Sequence, residues 1–174
     1  MDPGTGSPAY EIVGLHVEDA AALGRIHCRI WRETYDGLMD PEALARLDPV
    51  RFGQNWAERA ARLATTGALP RGEQILVARC EGVPVGFIST GEPRDEVPPV
   101  DWQLWALNVL PEHQGTGVGQ RLVDEGLGDR AAYLWVAEGN DRALAFYRRR
   151  GFVADGASSE RSDGMTEQRM VRTA

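Results

Sequence analysis

Apolar residues recur along the chain with two periods, and each change of period marks an element. Tyr10 to Leu15 reads as a first strand. Ala20, Leu23, Ile26 and Ile30 put one apolar stripe on a helix over Val17 to Tyr35, which Asp36-Gly37 stops. A second helical region starts at Asp40-Pro41, an N-cap followed by a first-turn proline, and runs with a break at Asp48-Pro49 to Ala64. Gln74 to Cys80 and Val85 to Thr90 are short apolar runs around Glu81-Gly82-Val83-Pro84, which predicts an antiparallel hairpin. Trp102 to Leu110 is a longer run, read as a strand covered on both faces and ended by Pro111. Val118, Leu122, Val123 and Leu127 then share one face of a helix. Ala132 to Ala137 is an apolar strand, and Asn140 to Arg150 is a helix between an Asn cap and Gly151. Phe152 to Ala154 and Met165 to Val171 are candidate closing strands. Early helices, strands clustered in the middle and a closing strand-helix alternation predict an α/β fold built on one sheet.

Composition narrows the function classes. The chain has 174 residues, 43% hydrophobic and 26% charged, enough for one domain with its own core and too few for two ordinary ones. Residues 1–8, rich in Gly and Pro, read as a flexible leader, and residues 9–174 as a single domain. The balance of 19 basic against 26 acidic residues gives a formal charge of −7, which argues against a nucleic-acid partner. Every basic residue except histidine is arginine, so a Schiff-base lysine or a Walker phosphate lysine is excluded. Cys28 and Cys80 form no Cys-x-x-Cys and read as buried thiols of a reduced cytoplasm. No apolar run approaches the roughly 20 residues of a membrane span, and the start has no signal region, so a cytoplasmic protein without a membrane partner is expected. His16, His27 and His113 are dispersed, no metal site is expected, and no Gly-x-Ser-x-Gly elbow is present.

The most informative segment is Leu107-Asn108-Val109-Leu110-Pro111-Glu112-His113-Gln114-Gly115-Thr116-Gly117-Val118-Gly119-Gln120. A strand leads in, three alternate glycines follow, and a helix begins at once. The first N–H groups of that helix lack intrahelical partners, and its dipole adds positive charge, so the turn suits phosphate oxygens. A dinucleotide fingerprint would need glycine where Gln120 stands, and a Walker loop would need lysine. The remaining pattern, Gln114-x-x-Gly117-x-Gly119, resembles the acetyl-CoA-binding motif of the GCN5-related N-acetyltransferase (GNAT) superfamily. The resemblance runs from Trp102 to Phe152, roughly the C-terminal half, and implies a mixed, mostly antiparallel central sheet flanked by helices. It implies that Gln114, Gly115, Thr116, Gly117, Val118, Gly119 and Gln120 line the pyrophosphate site of acetyl-CoA. It also implies that Leu107, Asn108 and Val109 run beside the pantetheine arm.

A second motif follows in Asn140-Asp141-Arg142-Ala143-Leu144-Ala145-Phe146-Tyr147, before Gly151-Phe152. Asn140 and Tyr147 are seven positions apart and share a helix face. The resemblance implies that Asn140 and Phe146 contact the coenzyme and that the Tyr147 hydroxyl protonates the departing thiolate. Transfer to an amine also needs a base, since an alkyl amine with pKa about 10 is mostly charged at neutral pH. Many relatives carry an acidic residue on the fourth strand, where Gln103 stands here, and glutamine cannot act as a base. Asp101 shares the face of Gln103 by strand alternation and is the first substitute; Glu92, Asp95 and Glu96 are others. The resemblance places the acceptor between the early helices and this strand, where Trp31, Glu33, Tyr35 and Gln103 could line it. Four carboxylates between Glu92 and Asp101, against the single Arg94, favour a cationic primary amine of a small molecule or a peptide N-terminus. The rivals are a non-catalytic acyl-CoA sensor and a protein N-terminal acetyltransferase, and the resemblance is compatible with a homodimer. Arg148 to Arg150 either reach coenzyme phosphates or complement the helix dipole.

Overall fold

A computed structural model describes residues 9–173, so the expected leader lies outside the described residues. The strands are β1 (Tyr10–Gly14), β2 (Gln74–Cys80), β3 (Val83–Gly91), β4 (Gln103–Val109), β5 (Ala132–Ala137), β6 (Val153–Glu160) and β7 (Thr166–Arg172). The helices are α1 (Ala20–Thr34), α2 (Pro41–Ala45), α3 (Pro49–Thr66), α4 (Val118–Gly126) and α5 (Asp141–Arg149). The strands form one seven-stranded sheet in the order β1-β2-β3-β4-β5-β7-β6. Every pairing is antiparallel except β4 with β5.

Local chemistry accounts for most of these elements. The hairpin turn is tighter than its four-residue signal suggested: Glu81 and Gly82 take φ of 51° and 79°, a two-residue turn, and Val83 already pairs with Cys80. The second helical region is two helices, because Asp48 accepts a hydrogen bond from the Val50 amide and starts α3 afresh at Pro49. The first helix loses its opening turn to a 3-10 segment at Val17–Asp19. β6 runs on to Glu160, well past the expected end at Ala154. Its Val-Ala-Asp-Gly-Ala-Ser-Ser-Glu sequence has no apolar alternation because it is an edge strand, exposed along nearly its whole length.

α4 and α5 cover one face of the sheet, where Leu104, Val109, Leu134, Val136 and Met170 meet Val118, Leu122, Leu144 and Phe152. α1 and α3 cover the other, packing on Phe87 and Val77. These two helices cross at Gly24, where a Cβ would run into the Pro49 carbonyl and the Gly53 backbone. That close approach draws the C-terminal end of α1 over the sheet. A separate apolar cluster then forms there from Met39, Leu44, Ala137 and Met165, with Trp31, Tyr35 and Leu38 packed against it.

Candidate active site

The site starts from a parting of two strands. β4 and β5 pair through Gln103 and Tyr133, with the Tyr133 amide donating to the Trp102 carbonyl at 3.1 Å, and no later residue of β4 continues the ladder. β4 also bulges: Ala106 pairs with Ser89 and Leu104 with Thr90, leaving Trp105 as the extra residue. A bulge bends its strand and increases its twist. Beyond Trp105 the edge of β4 that faces β5 therefore borders a gap, and an extended ligand can use its backbone as an added strand would. Leu107, Asn108 and Val109 lie along that edge.

At the end of β4 the chain enters the glycine turn. The Gln114 Nε2 donates to the Val109 carbonyl at 2.7 Å, and the Thr116 Oγ1 donates to the His113 carbonyl at 2.7 Å. His113 Nδ1 shares a hydrogen bond of 3.0 Å with the Tyr10 hydroxyl, and Arg29 grips Glu112 through two hydrogen bonds of 2.7 and 3.0 Å. The side chains of Gln114 and Thr116 thus hold the turn, and Val118 buries its own in the core at 1% exposure. What the turn offers a ligand is backbone. Gly117, at φ 90°, is the N-cap of α4, and no side chain caps the helix. The amides of Val118, Gly119 and Gln120 lie in the uncapped first turn, before the Arg121 amide closes on the Gly117 carbonyl. A Cβ on Gly115 or Gly117 would meet nothing, so the space in front of these amides is open. An uncapped helix start facing open space fits a pyrophosphate group.

α5 lies beside this cradle. The Asn140 Oδ1 caps it, accepting from the Ala143 amide at 3.2 Å, so its amide nitrogen is what remains for a ligand. The Phe146 ring lies 3.9 Å from where a Gly119 Cβ would stand, and meets Tyr147 edge to face at 5.4 Å. Tyr147 is 8% exposed, and burial, with a smaller contribution from Tyr35, raises its phenol above the ordinary tyrosine value. No hydrogen bond contributes to that shift. The phenol therefore keeps its proton at neutral pH. Arg150 pairs with Asp124 and ties α5 to α4, while Arg148 and Arg149 are exposed.

From the opposite face the end of α1 packs Trp31 and Tyr35 against the cluster that holds Ala137, the last residue of β5. Trp31 and Tyr35 stack edge to face at 5.4 Å, and the Tyr35 phenol is also raised by burial. The carboxylate of Glu167, the guanidinium of Arg161 and the carboxylate of Asp163 all lie close enough to influence it. Three of the residues expected here are placed elsewhere. Glu33 is exposed and pairs with Arg29 at 2.9 Å, because two residues on from Trp31 it has turned to the far side of the helix. Gln103 is buried, and its Oε1 accepts from the Arg94 amide at 2.9 Å and the Tyr133 hydroxyl at 3.0 Å, so it anchors the loop before β4 instead of facing an acceptor. Asp101 is exposed in a surface groove with Val100, Trp102 and Arg130. The Gln103 and Tyr133 pairing follows it in the chain, before β4 parts from β5.

Of the other loop carboxylates, Asp95 accepts from the Trp135 Nε1 at 3.1 Å and faces Arg169 at 3.4 Å, clamping the loop onto β5. Glu92 and Glu96 are exposed. Sequence spacing did not single out Glu167, Arg161 or Asp163. Their nearness to Tyr35 depends on β7 inserting between β5 and β6, which no local pattern encodes.

Comparison with known proteins agrees with this geometry. The pattern of the Acetyltransferase (GNAT) family matches residues 25–152. The chain is 30% identical over 142 residues to the "Probable N-acetyltransferase Rv2775" of Mycobacterium tuberculosis, covering 79% of this chain and 76% of that protein. It is 37% identical over 78 residues to the N-alpha-acetyltransferase RimI of the same organism, covering 43% of this chain and 49% of the relative. Among solved structures, the PaiA N-acetyltransferase of Thermoplasma acidophilum, in complex with coenzyme A, superposes with a TM-score of 0.70 at 18% identity, over 95% of this chain and 99% of that one. No described helix is long and apolar enough to cross a membrane. A sheet parted between β4 and β5, an amide cradle at the end of β4 and a match over most of the chain converge: this protein belongs to the GNAT family of acetyl-CoA-dependent N-acetyltransferases.

Proposed function

We propose that the enzyme moves the acetyl group of acetyl-CoA directly to a primary amine carrying positive charge, on a small molecule or a peptide N-terminus. The observation that carries this reading is the buried Tyr147 phenol on α5, next to the Phe146 ring that packs on the amide cradle at Gly119. Acetyl-CoA, when bound, supplies a thioester whose acyl carbon is open to attack. The amides of Val118, Gly119 and Gln120 receive the pyrophosphate oxygens, and the free edge of Leu107 to Val109 receives the pantetheine arm. Both hold the thioester by backbone, so no lysine is required. Tyr147 donates its proton to the leaving sulfur, a step for which a neutral phenol is suited and a phenolate is not. The peptide-terminus arm of the proposal draws on the RimI match, and the small-molecule arm on the enclosed aromatic end of α1.

An acceptor screen read by free CoA release tests the proposal. Cationic primary amines should be acetylated and anionic ones should not; activity confined to anionic acceptors refutes it. Tight acetyl-CoA binding with no turnover on a broad amine panel would make the chain an acyl-CoA sensor. Tyr147→Phe should lower kcat by about 100-fold or more with little change in the acceptor KM, since general acid catalysis contributes ~10²–10⁴-fold. Unchanged turnover removes Tyr147 from the chemistry.

A further inference from the structure

With Gln103 bonded to the loop before β4 and Asp101 exposed in a surface groove, β7 offers a further carboxylate for an amine acceptor. β7 runs antiparallel to β5 with Glu167 opposite Ala137, so these two side chains share a face. It is the face on which Trp31, Tyr35 and Leu38 pack against Ala137 and Met165. Glu167 is only 17% exposed, yet its one ionic partner among the described residues, Arg161, stands at 3.6 Å, beyond hydrogen-bond length. Arg161 itself is engaged at 2.7 Å by Asp163. Two carboxylates therefore share one guanidinium, and the cluster keeps a net negative charge beside the Tyr35 phenol.

The turn that carries this cluster is fixed. The Asp40 amide donates to the Asp163 carbonyl at 2.9 Å, and Gly164 packs directly against the Asp40 carboxylate. Tyr35 lies within electrostatic reach of both the cluster and Tyr147.

Resting on the acetyl-transfer reading above, we propose that Glu167 is the general base, docking the acceptor ammonium beside Tyr35 and taking its proton. One proton of the ammonium passes to a Glu167 oxygen, leaving the electron pair on nitrogen. That pair forms the N–C bond as the C–S bond breaks, and the sulfur takes the Tyr147 proton. The second nitrogen proton returns to the Tyr147 oxygen, and the Glu167 proton leaves to water. The products are one amide, one thiol and one proton. Tyr35 is a positioning residue that orients the nitrogen between the two. The groups facing Glu167 are Tyr35 from α1 and Arg161 and Asp163 from the turn; burial, the largest influence, raises its carboxyl above the ordinary glutamate range. That direction suits a base working near neutrality.

The test is steady-state kinetics of the full chain from pH 6 to 10, with 2-phenylethylamine, 1,4-diaminobutane and a tetrapeptide with a free N-terminus as probes. Glu167→Gln should lower kcat/KM for the two alkyl amines about 100-fold or more at pH 7 and recover to within about fivefold of wild type at pH 10, where roughly half of an amine of pKa about 10 is neutral without help. Affinity for coenzyme A, by calorimetry, should change less than twofold, and Glu167→Asp should restore at least tenfold over Glu167→Gln at pH 7. The proposal is overturned by activity within threefold of wild type at pH 7, by a loss uniform across the pH range, or by lost coenzyme binding. It is also overturned if both variants fail to fold, which would make the carboxylate structural. Wild-type enzyme that acetylates none of these amines, or any other on a broad panel, refutes the acetyl-transfer reading instead.

Discussion

His27 on α1 sets up a pH dependence of stability that can be worked out from its surroundings. Its ring lies 4.3 Å from Phe52, 5.1 Å from Trp31, 5.2 Å from Phe87 and 6.0 Å from Trp56, centroid to centroid. Both ring nitrogens are buried without a hydrogen-bond partner. Burial, helped by the nearby Arg59 charge, lowers its pKa from 6.5 to about 4. Because the folded value lies below the unfolded one, the denatured chain takes up the proton first. The neutral ring's full contribution is therefore present above pH 6.5 and is lost as pH falls toward 4. Linkage puts the loss at about 2 kcal/mol by pH 5 and about 3 kcal/mol at its limit. His27→Phe removes the titration and also the cost of two orphaned nitrogens, on the order of 1–3 kcal/mol each. Urea unfolding followed by tryptophan fluorescence, which Trp31 and Trp56 report at the site itself, measures both effects. Wild type should lose stability relative to His27→Phe between pH 7 and 5, and the variant should be at least as stable as wild type at pH 7.5. Parallel curves for the two proteins over that range would refute the reasoning.

Two further substitutions separate binding from chemistry. Gly117→Ala forces a side chain onto a φ of 90°, so it should cost about 1–2 kcal/mol of stability and weaken coenzyme A binding in calorimetry. Equal affinity in the variant would mean that this turn does not hold the pyrophosphate. Asp101→Asn should leave kcat/KM for amines within threefold, because the residue is exposed in a surface groove; a 100-fold loss would return it to the mechanism.

The turn and the helices that frame the proposed coenzyme site were legible because their signals are local. An N–H cradle needs only a strand end, glycines and a helix start within a few residues, and Asn140 and Tyr147 need only helical spacing. Glu33 was also open to correction from spacing alone. Trp31 and Tyr35 are four apart and share a face, whereas Glu33, two from each, cannot join them. The length of β6 beyond Ala154 escaped notice for a different reason: an exposed edge strand has no buried face, so it carries no alternation to read.

The acceptor half was not legible, since it is assembled from segments distant in sequence. Gln103 looked like a vacancy in the mechanism; the fold makes it a buried anchor, because β5 brings the Tyr133 hydroxyl to its side-chain oxygen. Glu167 carried no signal of its own in the sequence. It acquires an address only because β7 pairs with β5 while α1, drawn in at Gly24, lays Tyr35 across the same face. The amino-acid sequence by itself indicated most of the elements, the family and the glycine turn before α4, all products of short-range spacing. Strand order and helix packing decided which carboxylate comes to lie beside Tyr35, because burial and the neighbouring charges of a side chain are properties of packed surfaces and not of neighbours along the chain.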